Sequence, residues 1–413
     1  MAINLPKTRS EFILSIELAN ELLKRYGSPL YVYDGDRLRR TLARIGRSIP
    51  YPRTRFRFAS VTNGNIALLQ MIRSTGWGLH ANTPGDIYLG LQAGFSPEEI
   101  VYSGSNLDRS EMSQVLAWGV RTLNLDSLAQ LRSFCEVYES FPESPDIHLG
   151  LRLNEPSLTG DSRIGVQPRE FPEAIAIAGK AGLRIRGLHF YRGTGTNATR
   201  AFTDSIDPVL KIAESLPDFQ YLDFGGGFGY PYQRGGIAFD WEEFGRELTE
   251  RLRGRSLDLV IEPGRAAIAG CAVLLATVVS VKWQGDRQIA GVDTTVANLS
   301  VPAVHGGYRE IVALNPSVDG NFHPTDVCGN TTYSRDYLGR NCSLPGLAIG
   351  DILAILDVGA YGYAMSSHFL HRPRPAEVLL EENRHRLIRT REDYRVLVAN
   401  QIWQGENPSE NCL

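Results

Sequence analysis

Along the first two-thirds of the chain, short runs rich in β-branched and apolar residues recur at Arg55–Val61, Gly78–Asn82, Ile100–Ser103, Thr122–Asp126, Ile147–Asn154, Ile185–Tyr191, Tyr221–Phe224 and Leu257–Glu262. The stretches between them, such as Ile66–Thr75, Pro84–Ala93, Ser110–Trp118 and Pro172–Ala181, carry apolar residues at helical spacing. Strand and helix patterns that alternate in this way predict a parallel βα series. Eight units predict an α/β fold closed as a (β/α)8 TIM barrel, with a doubly wound open sheet as the competing arrangement.

After Glu262 the pattern changes. Ala272–Val281, Gln288–Asp293 and Asp351–Asp357 read as strands separated by turn residues, with few helical stretches, which predicts a mainly β C-terminal domain. A helical pattern reaches about Arg25, before the apolar run Pro29–Asp34. The expected division is a barrel over 27–265 and a β domain over 266–413, with 1–26 associating with the latter. The region around Cys342 and the last residues, Gln401–Leu413, look weakly organised.

A chain of 413 residues with 43% hydrophobic content can bury two ordinary cores. A net charge of -3 leaves no basic excess for a nucleic-acid backbone or an anionic membrane surface, so a small-molecule substrate is the expected partner. The five cysteines lack paired spacing, which argues against a disulfide framework or a zinc site; no metal is expected. Neither a secretory signal nor a membrane-spanning run is visible, and a reducing cytoplasm is the expected location.

Three clusters carry candidate chemistry. Gly225-Gly226-Gly227-Phe228-Gly229 follows the seventh strand run, and consecutive glycines let backbone N–H groups approach a phosphate closely. A tight turn would use the same residues. Glu262-Pro263-Gly264-Arg265 closes the eighth run at the same expected rim. The third is Asp357-Val358-Gly359-Ala360-Tyr361, continuing through Met365-Ser366-Ser367 to Arg372-Pro373 and Glu377-Val378.

In this order, and joined by Asn124–Ser127, Ser162–Val166 and Gly187–Phe190, these motifs resemble the fold-type III, alanine-racemase-like pyridoxal-phosphate decarboxylases, the diaminopimelate and ornithine decarboxylase branch. The resemblance runs almost from end to end. It implies pyridoxal 5'-phosphate as cofactor, with Gly225, Gly226, Gly227, Gly264, Arg265 and Tyr361 at its phosphate or ring and Glu262 facing the pyridine nitrogen. It also implies a homodimer with shared active sites, because Gly329–Asp336 matches a segment that reaches the neighbouring subunit.

The departures are equally specific. Phe58-Ala59-Ser60-Val61-Thr62-Asn63-Gly64-Asn65 matches the family's segment around the Schiff-base lysine, and that lysine's position falls on Val61. None of the five lysines, Lys7, Lys24, Lys180, Lys211 and Lys282, falls at the C-terminal end of a barrel strand run. Tyr191 stands for the ring-stacking histidine, His80 for an aspartate, Thr332 for a proton-donating cysteine and Tyr333 for an acidic substrate ligand. Val301–Tyr308 lacks the arginine that grips a distal carboxylate, leaving His305 as a substrate-side candidate.

Tyr191, Thr332 and Tyr333 are therefore the candidate catalytic residues, and His305 and Tyr333 the substrate-binding ones. Three readings stay open: a decarboxylase-like protein acting on an amino acid or its derivative through non-covalently held pyridoxal phosphate, a non-catalytic regulator or partner subunit, and a repurposed enzyme with another phosphorylated ligand.

Overall fold

Asp and Ser/Thr/Asn caps start five of the helices that follow barrel strands. Asn65 accepts from the Ala67 amide, Ser127 from Gln130 and Asp240 from Glu243, while Thr83/Asp86 and Asp108/Glu111 form reciprocal capping boxes. The strands so separated are β2 (Thr54–Ala59), β3 (Gly78–Ala81), β4 (Ile100–Tyr102), β5 (Thr122–Leu125), β6 (His148–Arg152), β7 (Ile185–His189), β8 (Tyr221–Asp223) and β9 (Asp258–Ile261). They are preceded by β1 (Leu30–Asp34). This computed structural model describes residues 12, 14–141, 145–193, 195–315 and 321–402.

Strands β2 to β9 pair in parallel, and β9 closes onto β2 through Thr54↔Leu259 and Phe56↔Ile261. Closure rules out the open sheet and yields the expected (β/α)8 barrel. Its interior is packed, with Tyr221 filling the space left by Gly150 and Gly187; a Cβ at Gly187 would sit 1.9 Å from the Tyr221 ring. The Tyr221 hydroxyl donates to Asn124 Oδ1 at 2.8 Å, and Asn124 Nδ2 donates to Asp223 Oδ2 at 3.1 Å. A polar ladder thus climbs from the barrel core to its C-terminal rim.

The second domain contains β10 (Ala272–Gln284), β11 (Arg287–Val292), β12 (Ile311–Ala313), β13 (Phe322–Cys328), β14 (Tyr337–Pro345), β15 (Ile352–Leu356), β16 (Ala376–Glu381) and β17 (Arg384–Arg389). Two expectations need correction. β1 pairs antiparallel with β10 and parallel with β16, so the run inside the expected 27–265 barrel belongs to the second sheet, and barrel pairing begins only at Thr54. Alternation alone cannot say which sheet an isolated strand joins. Cys342 lies not in a loose loop but in β14, paired with Thr325. Of the weakly organised tail, only Gln401 and Ile402 are described, outside any helix or strand; 403–413 lie outside the described residues.

The helix Ile16–Tyr26 buries Ala19 and Leu22 in a small core with Leu30, Val32, Val273 and Leu275. Across the domain boundary, Asn65 Nδ2 donates to Glu377 Oε2 at 2.8 Å, and within the second sheet the Tyr33 hydroxyl donates to Glu377 Oε1 at 2.6 Å. Arg389 also donates to Glu377, and Asn63 Nδ2 donates to the Gly359 carbonyl at 3.1 Å. A buried carboxylate with this many donors is the satisfied kind, and it fastens the turn after β2 to the second domain.

Candidate active site

A cavity of about 320 Å³ opens at the C-terminal ends of the barrel strands, where TIM barrels place their chemistry. Ala59, Val61 and Thr62 line it after β2, His80 and Asn82 after β3, Arg152 at the end of β6, and His189 and Tyr191 from β7. Gly226, Gly227 and Phe228 follow β8, while Glu262, Gly264 and Arg265 follow β9; Tyr361 enters from the second domain. Among the described residues, the lining contains no lysine.

The glycine loop is threaded between backbones. Gly225 adopts φ +66° and Gly227 φ +93°, a region that disfavours side chains, and a Cβ on Gly226 would stand 2.7 Å from the Glu262 carbonyl oxygen. Tyr361 also has left-handed backbone, φ +59°, a costly conformation for a non-glycine residue that is found at ligand-facing positions. Its amide donates to the Thr62 carbonyl at 2.9 Å, and the Arg265 guanidinium lies 5.0 Å from its ring centroid. An arginine, a tyrosine and the glycine loop thereby share one end of the cavity.

Glu262 forms the other end. It is buried, His189 Nε2 lies 3.3 Å from its Oε2, and Oε1 has no hydrogen-bond partner. Burial pushes its carboxyl up to about 7, opposed by a hydrogen bond with Asp223 and by the charges of Arg152 and Arg57. Asp223 is raised as well, by burial first and by the Glu262 charge second. Burial lowers His189 to about 4 and His80 well below its ordinary value, so both imidazoles are neutral at pH 7. An orphaned, cavity-lining carboxylate oxygen is what a protonated ring nitrogen would require, and the glycine cradle opposite suits a phosphate; the residues fit pyridoxal phosphate.

The sign of the pH effect follows. The unfolded Glu262 side chain ionises near 4.5 and the folded one near 7, so between these values the folded state holds the extra proton. Its stabilising contribution is complete below about pH 4.5 and is lost as pH rises toward 7. The melting temperature of the cofactor-free protein is expected to fall over this window, and Glu262→Gln is expected to flatten the fall. Thermal melts at closely spaced pH values check this; parallel profiles for the two proteins would contradict it.

Of the residues singled out from sequence, Tyr191, Gly226, Gly227, Glu262, Gly264, Arg265 and Tyr361 meet around the cavity, with Gly225 buried directly behind. His305, Thr332 and Tyr333 do not line it. His305 ends the short helix Val301–His305, and Tyr333 packs edge-on against Phe369 at 5.4 Å. Sequence reasoning left Arg152, Asp223 and His189 out of the site. All three end barrel strands, which is the signal that could have found them. Arg152 lies 5.1 Å from the Tyr191 ring centroid, a cation–π contact.

A closed barrel with a phosphate cradle and a buried carboxylate at its rim, capped by a β domain, defines the architecture of a pyridoxal-dependent decarboxylase. The family described as "Pyridoxal-dependent decarboxylase, pyridoxal binding domain" matches residues 36–269, and the chain belongs to this family, whose cofactor is pyridoxal phosphate. It is 34% identical to a diaminopimelate decarboxylase of Methanothermobacter thermautotrophicus, over 94% of each chain. A Vibrio cholerae diaminopimelate decarboxylase is 29% identical over 92% of this chain and 94% of its own. The crystal structure of the Helicobacter pylori diaminopimelate decarboxylase complexed with L-lysine superposes with a TM-score of 0.85 at 26% identity, covering 92% of this chain and 98% of that one. No helix among the described residues is long and apolar enough to cross a membrane.

Proposed function

We propose that this chain holds pyridoxal phosphate without a covalent link and acts on an amino acid or an amino-acid-derived substrate. The observation that carries this reading is Val61, which lines the cavity after β2 at the position of the family's Schiff-base lysine, in a lining that contains no other lysine among the described residues. When bound, the cofactor supplies a protonated ring able to take up electron density from the bond being broken. The Gly226 and Gly227 amides, Arg265 and Tyr361 would hold its phosphate, with the Gly225 amide behind them donating to Asp223 Oδ1 at 3.0 Å. Glu262, whose Oε1 has no hydrogen-bond partner, would hold the ring nitrogen in its protonated form, while His189 Nε2, 3.3 Å from Oε2, fixes the orientation of the carboxylate. Tyr191 and Arg152 bound the side from which a substrate carboxylate would enter, and Ile164 and Phe228 exclude water.

Borohydride treatment of the cofactor-loaded protein, followed by mass spectrometry, is expected to leave every lysine unmodified, and denaturation of the untreated loaded protein is expected to release pyridoxal phosphate intact. A reduced pyridoxyl adduct on any lysine would sink the proposal.

Diaminopimelate is not expected to be a productive substrate, although the relatives described above are named for it. Val301 offers a buried apolar side chain where the resemblance implies an arginine, and Tyr333 stands for an acidic ligand. Losing charged contacts to a distal carboxylate and ammonium costs roughly a hundredfold or more in specificity. Carbon dioxide release from diaminopimelate at rates comparable with the preferred substrate would overturn this.

We also propose that Thr332, Tyr333 and His305 act at the cavity of a partner subunit. Val304, Tyr308 and Phe369 in the neighbouring segments are 60%, 47% and 52% exposed, apolar surface of the kind an isologous interface covers. Light scattering at micromolar concentration is expected to give a dimer; a stable monomer would remove these three residues from the site.

A further inference from the structure

Behind the phosphate end of the cavity lies a charge that no hydrogen-bonded carboxylate neutralises. Arg309, just before β12, is 3% exposed; its Nη1 donates to the Tyr308 carbonyl at 2.7 Å, while Nε and Nη2 have no hydrogen-bond partner. Its guanidinium lies 3.8 Å from the centroid of the Tyr232 ring. Arg265, which lines the cavity, lies 5.9 Å from the same centroid and 5.0 Å from that of Tyr361. Rings and guanidinium groups thus alternate from the cavity wall into the second domain: Tyr361, Arg265, Tyr232, Arg309. We infer that Arg309 is a second cation of the phosphate end, a buried charge behind Arg265 that strengthens the hold on a dianionic group. The inference rests on the proposed phosphate site and adds to it a residue outside the cavity lining.

A purely structural role does not account for this arrangement. Taking a guanidinium out of water with two nitrogens unsatisfied destabilises a fold, and stacking on one ring recovers only part of the loss. Burial lowers the pKa of Arg309, Tyr232 opposes the shift, the Arg265 charge adds to it, and Asp357 and Tyr31 oppose it. Asp357 already accepts from the Tyr230 hydroxyl at 2.9 Å. The fold nonetheless fixes the charge in place. Tyr230 on Asp357 and Arg234 on Glu310, at 2.6 Å, strap the segment after the glycine loop to the second domain on either side of the Tyr232–Arg309 contact. The two guanidinium groups stand within about 10 Å of each other, the screening length of dilute salt, with the Tyr232 ring against both. Like charges held so close oppose folding until an anion arrives, and a phosphate ester carries nearly two negative charges at neutral pH. Arg309 therefore acts through the field and through the position of Arg265, without touching the phosphate.

The test is calorimetric titration of the full-length protein with pyridoxal phosphate, inorganic phosphate and pyridoxal, repeated for Arg309→Met and Arg309→Lys. Arg309→Met is expected to weaken both phosphates roughly tenfold and to leave pyridoxal, which has no phosphate, unchanged. Arg309→Lys keeps the charge and is expected to stay within roughly threefold of the unaltered protein. The cofactor-free Arg309→Met protein is expected to melt at or above the temperature of the unaltered one, because it has shed an unpaired buried charge. Loss of a merely structural side chain would lower that temperature. Circular dichroism verifies each fold, and Arg309→Gln takes the place of Arg309→Met if the latter is not folded.

Unchanged phosphate affinity in Arg309→Met, equal weakening of pyridoxal and pyridoxal phosphate, a loss of the same size in Arg309→Lys, or a lower melting temperature would each overturn the inference. Tight cofactor binding that Arg309→Met does not alter rejects Arg309 alone. Inorganic phosphate that binds and is weakened by Arg309→Met, in a protein that never takes up pyridoxal phosphate, leaves the second cation standing and rejects the pyridoxal reading instead.

Discussion

Replacing Val61 with lysine is expected to convert a protein that releases its cofactor intact into one that holds it covalently. Val61 is 43% exposed and sits in the turn Ser60–Thr62, whose ends are fixed by the Ser60 hydroxyl on the His80 carbonyl at 2.9 Å and by the Tyr361 amide on the Thr62 carbonyl. A longer side chain there enters the cavity without displacing a packed neighbour. The surroundings favour a nucleophilic amine. Arg152 and Arg265 line the same space, and nearby cations lower a lysine's pKa toward neutrality, which increases the fraction of free amine. The Val61→Lys protein loaded with cofactor is expected to shift the cofactor's absorbance away from that of the free aldehyde and, after borohydride, to carry one pyridoxyl group at position 61 in nearly every chain, against none in the unaltered protein. A variant that binds the cofactor yet carries no pyridoxyl group after reduction would show that the turn does not direct residue 61 at the cofactor's aldehyde.

Gly226→Val is expected to abolish binding of any phosphorylated ligand. The first side-chain atom would stand 2.7 Å from the Glu262 carbonyl oxygen, backbone that cannot step aside without moving the end of β9. Its neighbours hold left-handed conformations, so the loop has no unstrained alternative path. Each lost amide–phosphate contact costs roughly 1.5–3 kcal/mol, and losing two or more predicts a hundredfold or greater fall in affinity. Gly179→Ala is the matched control, because a Cβ there meets nothing within 4 Å. Fluorescence titration with pyridoxal phosphate, with circular dichroism to verify the fold, checks the pair. Unchanged affinity in Gly226→Val would remove the glycine loop from the phosphate site.

The barrel was legible because its signals are local. Each of the eight apolar runs became a strand within a few residues of its expected bounds, since parallel strands buried on both faces leave little room for polar residues. Leu30–Asp34 was legible as an apolar run but not as a strand of the second sheet, because its partners Leu275 and Val378 lie hundreds of residues away. The glycine loop and Glu262 could be placed at one rim from their positions after strand runs, whereas Tyr361 joined them only through the family resemblance. Arg152 and Asp223 escaped because an arginine or aspartate at a strand end looks like any surface residue until closure turns it inward. His80 was visible as a departure, but its lack of a hydrogen-bond partner is a property of the packed cavity and has no trace in the sequence.

The hydrogen bonds of Asn63 and Asn65 to the second domain bear on the side chain that stands between them and the barrel. Asn65 is held by Glu377 and Asn63 by the Gly359 carbonyl, so the geometry of the turn is set from outside the cavity. Residue 61 contributes a side chain to the chamber and little to the scaffold around it. Chemistry and architecture are thus uncoupled at this one position: the side chain at residue 61 can be exchanged without renegotiating the turn that carries it.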